Sequence, residues 1–281
     1  MPELPEVETI AHKLATHVVG KTIEHILVHH SKSFQGDTAL LINQPIVSIS
    51  RRAKIICIQF PNALNLLIHL KMTGQLIYTD SNTRLGGGHP TADWVSALPS
   101  SHTRIEMTFS DNAKLFFNDM RLFGWWKVLT DDQVQLELAR LAPDIIDPTL
   151  TSTYLHDRFL KTSMPIKGAL MDTRFVSGVG NIYACDALNL ARINPWRIAR
   201  SLQTIETEAL FVAAKTVIER GIQLGGATID AYRNVEGFSG QYQDVVLVYG
   251  REGKPCYNCG ALIQKAKILG RGTYFCAQCQ V

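Results

Sequence analysis

Four cysteines near the C-terminus have the spacing Cys256-x2-Cys259-x16-Cys276-x2-Cys279. Two such pairs at this separation supply four thiolates to one tetrahedral Zn2+. A redox pair needs only a single Cys-x2-Cys set near a helix start, so two linked pairs favour one structural zinc. The intervening Ile263, Ile268, Gly270 and Gly272 suit a short β-hairpin. Such a module is too small to fold by burial alone, so metal binding contributes its folding free energy. Lys265, Lys267 and Arg271 lie between the pairs, and a basic hairpin favours contact with nucleic acid over a purely structural staple. Cys57 and Cys185 stand alone and read as small core residues.

The other end of the chain offers different chemistry. Removal of the initiator Met before Pro2 leaves a secondary amine. An α-amino group has a pKa of about 7.7–8.0, so a useful fraction is neutral and nucleophilic near neutral pH. Such an amine can attack a sugar C1′ and form an iminium, which divides one difficult step into easier ones. Glu3 sits beside it and can move protons during attack and ring opening. Taken locally, the pair also suits an ordinary helix start, where the dipole favours an acidic residue.

These groups need elements to hold them. Leu4-Pro5-Glu6 leads into a segment with Val7, Ile10, Ala11, Leu14 and Val18 on one helical face, stopped by Gly20. From Lys21 to Val128 the pattern predicts strands, with Ile105, Met107 and Phe109 alternating with Glu106 and Thr108. Pro61-Asn62 and Asp111-Asn112 mark turns. Leu85-Gly86-Gly87-Gly88-His89-Pro90 reads as a flexible surface loop. From Asp131 the pattern turns helical, with a long helix over Ile205–Leu224 ended by Gly225-Gly226. A polar stretch from Ala227 to Gln243 follows, and Val245–Tyr249 reads as a strand. The expected class is α+β and multidomain. The boundaries fall at 1–130 for a β-rich N-terminal domain, 131–226 for a helical domain, 227–244 for a loop and 245–281 for the metal module.

Composition bounds the partners. Hydrophobic residues make up 46% of the 281, enough for a real core. The net charge is only +3, but residues 245–281 carry five basic side chains against Glu252, as a local phosphate-binding surface would. No run approaches the roughly 18 apolar residues of a membrane span. Glu3, Glu6 and Glu8 occupy the place of the basic region of a secretory signal, so a soluble cytoplasmic protein is expected.

Four stretches, in one order, resemble the formamidopyrimidine-DNA glycosylases. Met1-Pro2-Glu3-Leu4-Pro5-Glu6-Val7-Glu8-Thr9 is similar to the family's N-terminal signature, and Arg51-Arg52-Ala53-Lys54 to its lysine loop. Leu170-Met171-Asp172 with Gly178-Val179-Gly180-Asn181-Ile182-Tyr183-Ala184 looks like its helix–two-turn–helix. Val248-Tyr249-Gly250-Arg251-Glu252-Gly253 through Cys279-Gln280 resembles its zinc finger. The resemblance spans nearly the whole chain. It implies an N-terminal β-sandwich with flanking helices, a helix–two-turn–helix domain, a lesion lid at 227–244 and a C-terminal β-hairpin zinc finger.

The resemblance also implies roles. Pro2 is the Schiff-base nucleophile, Glu3 the general acid and base, and Glu6 a support for their hydrogen bonds. Lys54 contacts the damaged nucleotide, and Arg271 grips phosphate with a fork suited to bidentate contact. A stacked base must be flipped out to be reached, and the void must be filled. Met72, Arg121 and Phe123 are the implied fillers. His102, Lys161, Lys167 and Asn181 are the implied phosphate contacts. Cys256, Cys259, Cys276 and Cys279 hold one structural zinc. The partner is duplex DNA with damaged bases or abasic sites, met by a monomer associated with the bacterial nucleoid. The reaction implied is excision of oxidised purines, 8-oxoguanine and formamidopyrimidines, with β,δ-elimination. An endonuclease VIII-like choice of oxidised pyrimidines, or a non-catalytic zinc-finger damage sensor, are the alternatives.

Three positions depart from the family pattern. Leu122 replaces a basic residue in Asp119-Met120-Arg121-Leu122-Phe123-Gly124, which removes one expected phosphate contact. Asp186 stands where Glu is usual, and its shorter reach is expected to weaken an internal tether. Lys71 occupies a usually small position before Met72 and adds a cation there.

Overall fold

The computed structural model describes residues 2–227 and 240–281. By contact density the chain divides into two compact units, 1–139 with 224–241, and 140–223 with 242–281.

The first unit opens with α1 (Leu4–Val18). Ten strands follow: β1 (Ile23–Val28), β2 (Phe34–Gln35), β3 (Ser48–Arg52), β4 (Ile55–Gln59), β5 (Leu64–His69), β6 (Gly74–Thr79), β7 (Arg84–Gly88), β8 (Thr103–Phe109), β9 (Lys114–Asp119) and β10 (Trp125–Thr130). They form two five-stranded sheets, ordered β1-β8-β9-β6-β7 and β2-β10-β5-β4-β3. All pairings are antiparallel except β2 with β10. The predicted alternation holds in β8, where Ile105, Met107 and Phe109 are fully buried. They meet Ile56, Ile58, Leu66, Ile68 and Trp126 from the other sheet in one core. The apolar face of α1 joins that core, and the helix packs on the edge strands β3 and β7. It therefore seals one open side of the sandwich and hides two sets of unpaired backbone groups. Each fully buried Val, Ile or Leu in this face contributes roughly 1.5–3 kcal/mol of transfer free energy. A short helix, α2 (Asp131–Leu138), closes the run on a capping box between Thr130 and Gln133.

The segment expected as a loop at residues 85–90 is instead mostly strand. Leu85, Gly86 and Gly87 are buried in β7, which pairs with β6. The glycines are required by close approach. A β-carbon on Gly88 would lie 2.3 Å from the Gly74 carbonyl oxygen, and one on Gly86 would lie 3.0 Å from the Trp94 indole.

The second unit holds α3 (Ser152–Phe159), α4 (Ile166–Leu170), α5 (Asn181–Leu190) and α6 (Thr204–Gln223). A hairpin of β11 (Gln264–Ile268) and β12 (Arg271–Phe275) follows. α5 is buried along Ile182–Asn189 and packs on α4, α6 and β12. The turn before it uses Gly178 at φ +95°, a conformation that favours glycine.

Val245–Tyr249 is not a strand. Its amides have another acceptor: the fully buried Asp186 carboxylate takes the N–H groups of Leu247, Val248 and Tyr249 at 2.9, 3.0 and 3.2 Å. It also takes the Tyr242 hydroxyl at 3.0 Å. Burial pushes this carboxyl up while the four donors pull it down. The expected weakening from the shorter side chain is therefore not seen, because aspartate reaches every donor of the tether.

Asp186→Ala removes the acceptor that these donors share. Each buried unsatisfied donor costs about 1–3 kcal/mol, so urea unfolding should show a loss of at least about 3 kcal/mol. A midpoint equal to wild type would remove Asp186 from this role.

Candidate nucleic-acid site

Pro2 and Glu3 are buried at the start of α1, with Glu3 2% exposed at the N-cap. Glu6 holds them. Its Oε2 accepts from the Glu3 backbone N–H at 2.8 Å, and its Oε1 from the Ala227 N–H at 2.7 Å. One carboxylate thus joins the helix start to the chain emerging after α6. Gly226 has φ +85°, and a β-carbon there would lie 2.8 Å from Glu6 Oε1. The Gln241 N–H donates to the Leu224 carbonyl at 2.8 Å, so residues 224–227 and 240–241 lie side by side. The expected lid at 227–244 falls largely on 228–239, outside the described residues.

Lys54 sits in the tight turn between β3 and β4, after Ala53 at φ +54°. Arg51 braces that turn, donating Nη1 to the Ala53 carbonyl at 2.8 Å and pairing through Nε with Glu8 on α1. Nearby, His69 is pushed down to about 3 by burial, then by Lys71, Lys54 and Lys127. The ring is therefore neutral, and its Nδ1 accepts from the Lys71 backbone N–H at 3.0 Å. Burial, then Lys127, also lowers the Lys71 ammonium. These lysines create positive potential of the kind that attracts phosphate.

Met72, Arg121 and Phe123 are all exposed, and the Arg121 guanidinium lies 4.7 Å from the centre of the Phe123 ring. They stand on two loops joined by Asp119, which is 1% exposed. The Asp119 carboxylate accepts from the Thr73 hydroxyl, from the Arg121 N–H at 3.2 Å and from the Gly124 N–H at 2.7 Å. Sequence reasoning missed Asp119 and Thr73 as organisers. The available signal was an aspartate able to bond amides two and more residues on, the Asx-turn pattern. Leu122, between Arg121 and Phe123 in sequence, has φ +57°.

The expected phosphate contacts divide. His102 is partly exposed, with Nδ1 3.0 Å from Asp93 Oδ2. Lys161 is exposed just beyond α3. Lys167 is buried, and its ammonium donates to Asn181 Oδ1 at 2.6 Å, Thr273 Oγ1 at 2.7 Å and the Gly272 carbonyl at 3.2 Å. Asn181 Nδ2 donates to the same carbonyl at 3.0 Å. Both side chains brace β12 directly after Arg271, which is exposed. A hollow beside this brace is lined by Met164, Met171, Asp172, Leu269 and Arg271.

The four cysteine sulfurs lie within 4.8 Å of one another. The Cys256–Cys279 pair is 3.9 Å apart and the Cys259–Cys276 pair 3.5 Å. A tetrahedron with Zn–S bonds of about 2.3 Å has edges of roughly 3.8 Å, so the donor set fits zinc. Gln280, 1% exposed, anchors the module by accepting from the Cys276 N–H at 2.8 Å and donating to the Ile193 carbonyl at 2.9 Å.

Comparison with known proteins agrees along the whole chain. Residues 1–126 match the family model of the formamidopyrimidine-DNA glycosylase N-terminal domain, and residues 141–233 its H2TH domain. Residues 253–281 match the zinc finger found in FPG and IleRS. Formamidopyrimidine-DNA glycosylases from Bacillus cereus and Listeria innocua are 34% and 35% identical, with all of this chain and 99% and 100% of theirs aligned. The chain belongs to the formamidopyrimidine-DNA glycosylase family. The structure of a Lactococcus lactis mutant FPG bound to Fapy-dG-containing DNA superposes with a TM-score of 0.88 at 31% identity, over 99% of each chain. A complex of the Lactococcus lactis protein with abasic-site DNA gives the same score at 30%. In this member of the family the β-sandwich, the helix–two-turn–helix and the hairpin finger are all present, and the four thiolates hold one structural zinc.

Chelation, or Cys259→Ser, should release one zinc per chain by atomic emission, melt the hairpin amide signals in NMR and weaken binding to damaged duplex DNA. Unchanged DNA affinity in zinc-free protein would separate the finger from binding.

Proposed function

We propose that this chain is a bifunctional DNA glycosylase and AP lyase of base-excision repair, which removes oxidised purines from duplex DNA and nicks the strand. The observation that carries this is the full-length family match joined to Pro2 at the buried start of α1, with Glu3 and Glu6 beside it. The free Pro2 amine attacks C1′ of the flipped nucleotide. The glycosidic C–N bond breaks, and the base leaves with a proton. Glu3 moves the proton needed for ring opening, and an iminium links Pro2 to C1′. Loss of a C2′ proton then expels the 3′ phosphate. A second elimination expels the 5′ phosphate, and water releases the enzyme.

We assign Glu6 to holding Glu3, and Lys54 to the damaged nucleotide. Arg271 grips a phosphate and assists the second elimination. Met72, Arg121 and Phe123 fill the void, with Arg121 facing the orphaned base. His102 and Lys161 take phosphates, whereas Lys167 and Asn181 act through the brace they give β12. Residues 227–244 are assigned as the lid over the purine. The protein is proposed to act as a monomer in the cytoplasm, on the nucleoid.

Borohydride reduction tests the nucleophile. Wild type mixed with an 8-oxoguanine duplex should become covalently fixed, with the adduct mapping to Pro2 by mass. Pro2→Gly should bind and lose most activity. A protein that binds lesions but never forms a reducible adduct is a sensor, which would end the catalytic assignment. A lesion panel tests the substrate: 8-oxoguanine opposite cytosine should be excised faster than thymine glycol, and the reverse order would place the chain with the oxidised-pyrimidine enzymes.

A further inference from the structure

The turn that follows β7 carries Asp93, whose carboxylate meets the His102 ring just before β8. Residues 89–95 fold back over the face of their sheet opposite the sandwich core. Trp94 is buried there against Ile77 and Phe116, and it closes over Gly86. Thr91 Oγ1 accepts from the Asp93 N–H at 3.2 Å and from Gln75 Nε2 at 2.8 Å. These contacts fix Asp93, which is 7% exposed. Its Oδ2 lies 3.0 Å from His102 Nδ1 and 3.1 Å from Asn118 Nδ2. The His102 backbone is held as well, with its N–H on Ser100 Oγ at 3.1 Å and its carbonyl taking the Asp119 N–H at 2.9 Å. The His102 side chain remains 38% exposed.

We propose that Asp93 is a positioning residue that makes DNA binding through His102 proton-linked, so that the pair takes up one proton when a phosphate docks on Nε2. This rests on the reading of the chain as a DNA-binding enzyme with His102 at a phosphate. Donors and acceptors at the ring set its tautomer. An ionised carboxylate only accepts, so the ring nitrogen facing Asp93 must be N–H. A neutral imidazole carries one N–H, which leaves Nε2 an acceptor. A phosphate oxygen also only accepts. The two cannot bond until the ring takes a second proton from solvent, and the imidazolium then lies between two anions. Without Asp93 the ring could place its single proton on Nε2 and bind phosphate while neutral.

The surrounding charges leave this tautomer intact. Arg84 donates to the Asp93 backbone carbonyl at 2.8 Å, and Arg104 to the Ser101 carbonyl at 3.2 Å. The Asp119 carboxylate is engaged by Thr73, Arg121 and Gly124. His89 contributes its backbone carbonyl to Gln75.

The sign follows from linkage. The bound state favours the imidazolium, so affinity falls as pH rises. The probe is a duplex with a tetrahydrofuran abasic-site analogue, which binds without covalent chemistry. Calorimetry in buffers of different ionisation enthalpy, from about pH 7 to about pH 8, reads proton uptake where histidine titrates. Wild type should take up close to one proton more than His102→Gln, and its affinity should fall more steeply with pH, by up to about tenfold per unit. Asp93→Asn should lose the extra uptake while still binding. The 15N shifts of free wild type should show the neutral ring protonated at Nδ1. Equal uptake by wild type and His102→Gln, with both binding the duplex, overturns the proposal. His102→Gln alters a partly exposed side chain, so this comparison stands even if Asp93→Asn fails to fold. Failure of wild type to bind the duplex would instead overturn the function on which it rests.

Discussion

The placement of the proposed nucleophile depends on one carboxylate and two backbone amides. Glu6 accepts from Glu3 and from Ala227, and so couples the first residues of α1 to a segment more than two hundred positions later. An N-terminal amine is attached to the most easily frayed part of a chain. Catalysis by such a group requires that fraying be suppressed, since small misplacements of a reacting atom are costly. The capping interaction does this locally, and the burial of α1 against both sheet edges does it globally. The Ala227 amide adds a third restraint. It is possible only because Gly226 leaves room for the carboxylate.

The same device recurs. Asp119, Asp186 and Asp93 are buried aspartates that each gather donors from different segments. Asp119 joins the loops bearing Met72, Arg121 and Phe123. Asp186 arranges the chain that leads into the zinc finger. These segments are not held by strand ladders, and in the Asp119 loops Met72, Arg121 and Phe123 project outward. A charged acceptor makes stronger bonds to amides than a neutral one, so a single side chain can replace a stretch of sheet.

Much of this was legible in the sequence where the requirement is local. Metal ligation appears as cysteine spacing, a half-buried strand as alternation in Ile105–Phe109, and a helix as the stripe from Val7 to Val18. What escaped depended on partners distant in sequence or on packing. Gly86–Gly88 looked like a loop because glycine is poor in strands, and the indole that fills the missing volume comes later in the chain. Val245–Tyr249 looked like a strand because of its apolar β-branched residues, yet its amides answer to Asp186 on an earlier helix. The resemblance gave Lys167 a residue type but no direction, and the ammonium turns inward.

That inward lysine has a consequence for how the protein can change. The bonds from Lys167 and Asn181 end on Gly272 and Thr273, and Gln280 closes on Ile193. The finger is therefore not an interchangeable bead on a string. A recombination event or a laboratory chimera that imported a foreign hairpin would keep its zinc and still present its arginine on a mismatched footing. The helical module and the finger must be inherited as one cassette. Sequence drift at either end of these bonds is constrained by the other.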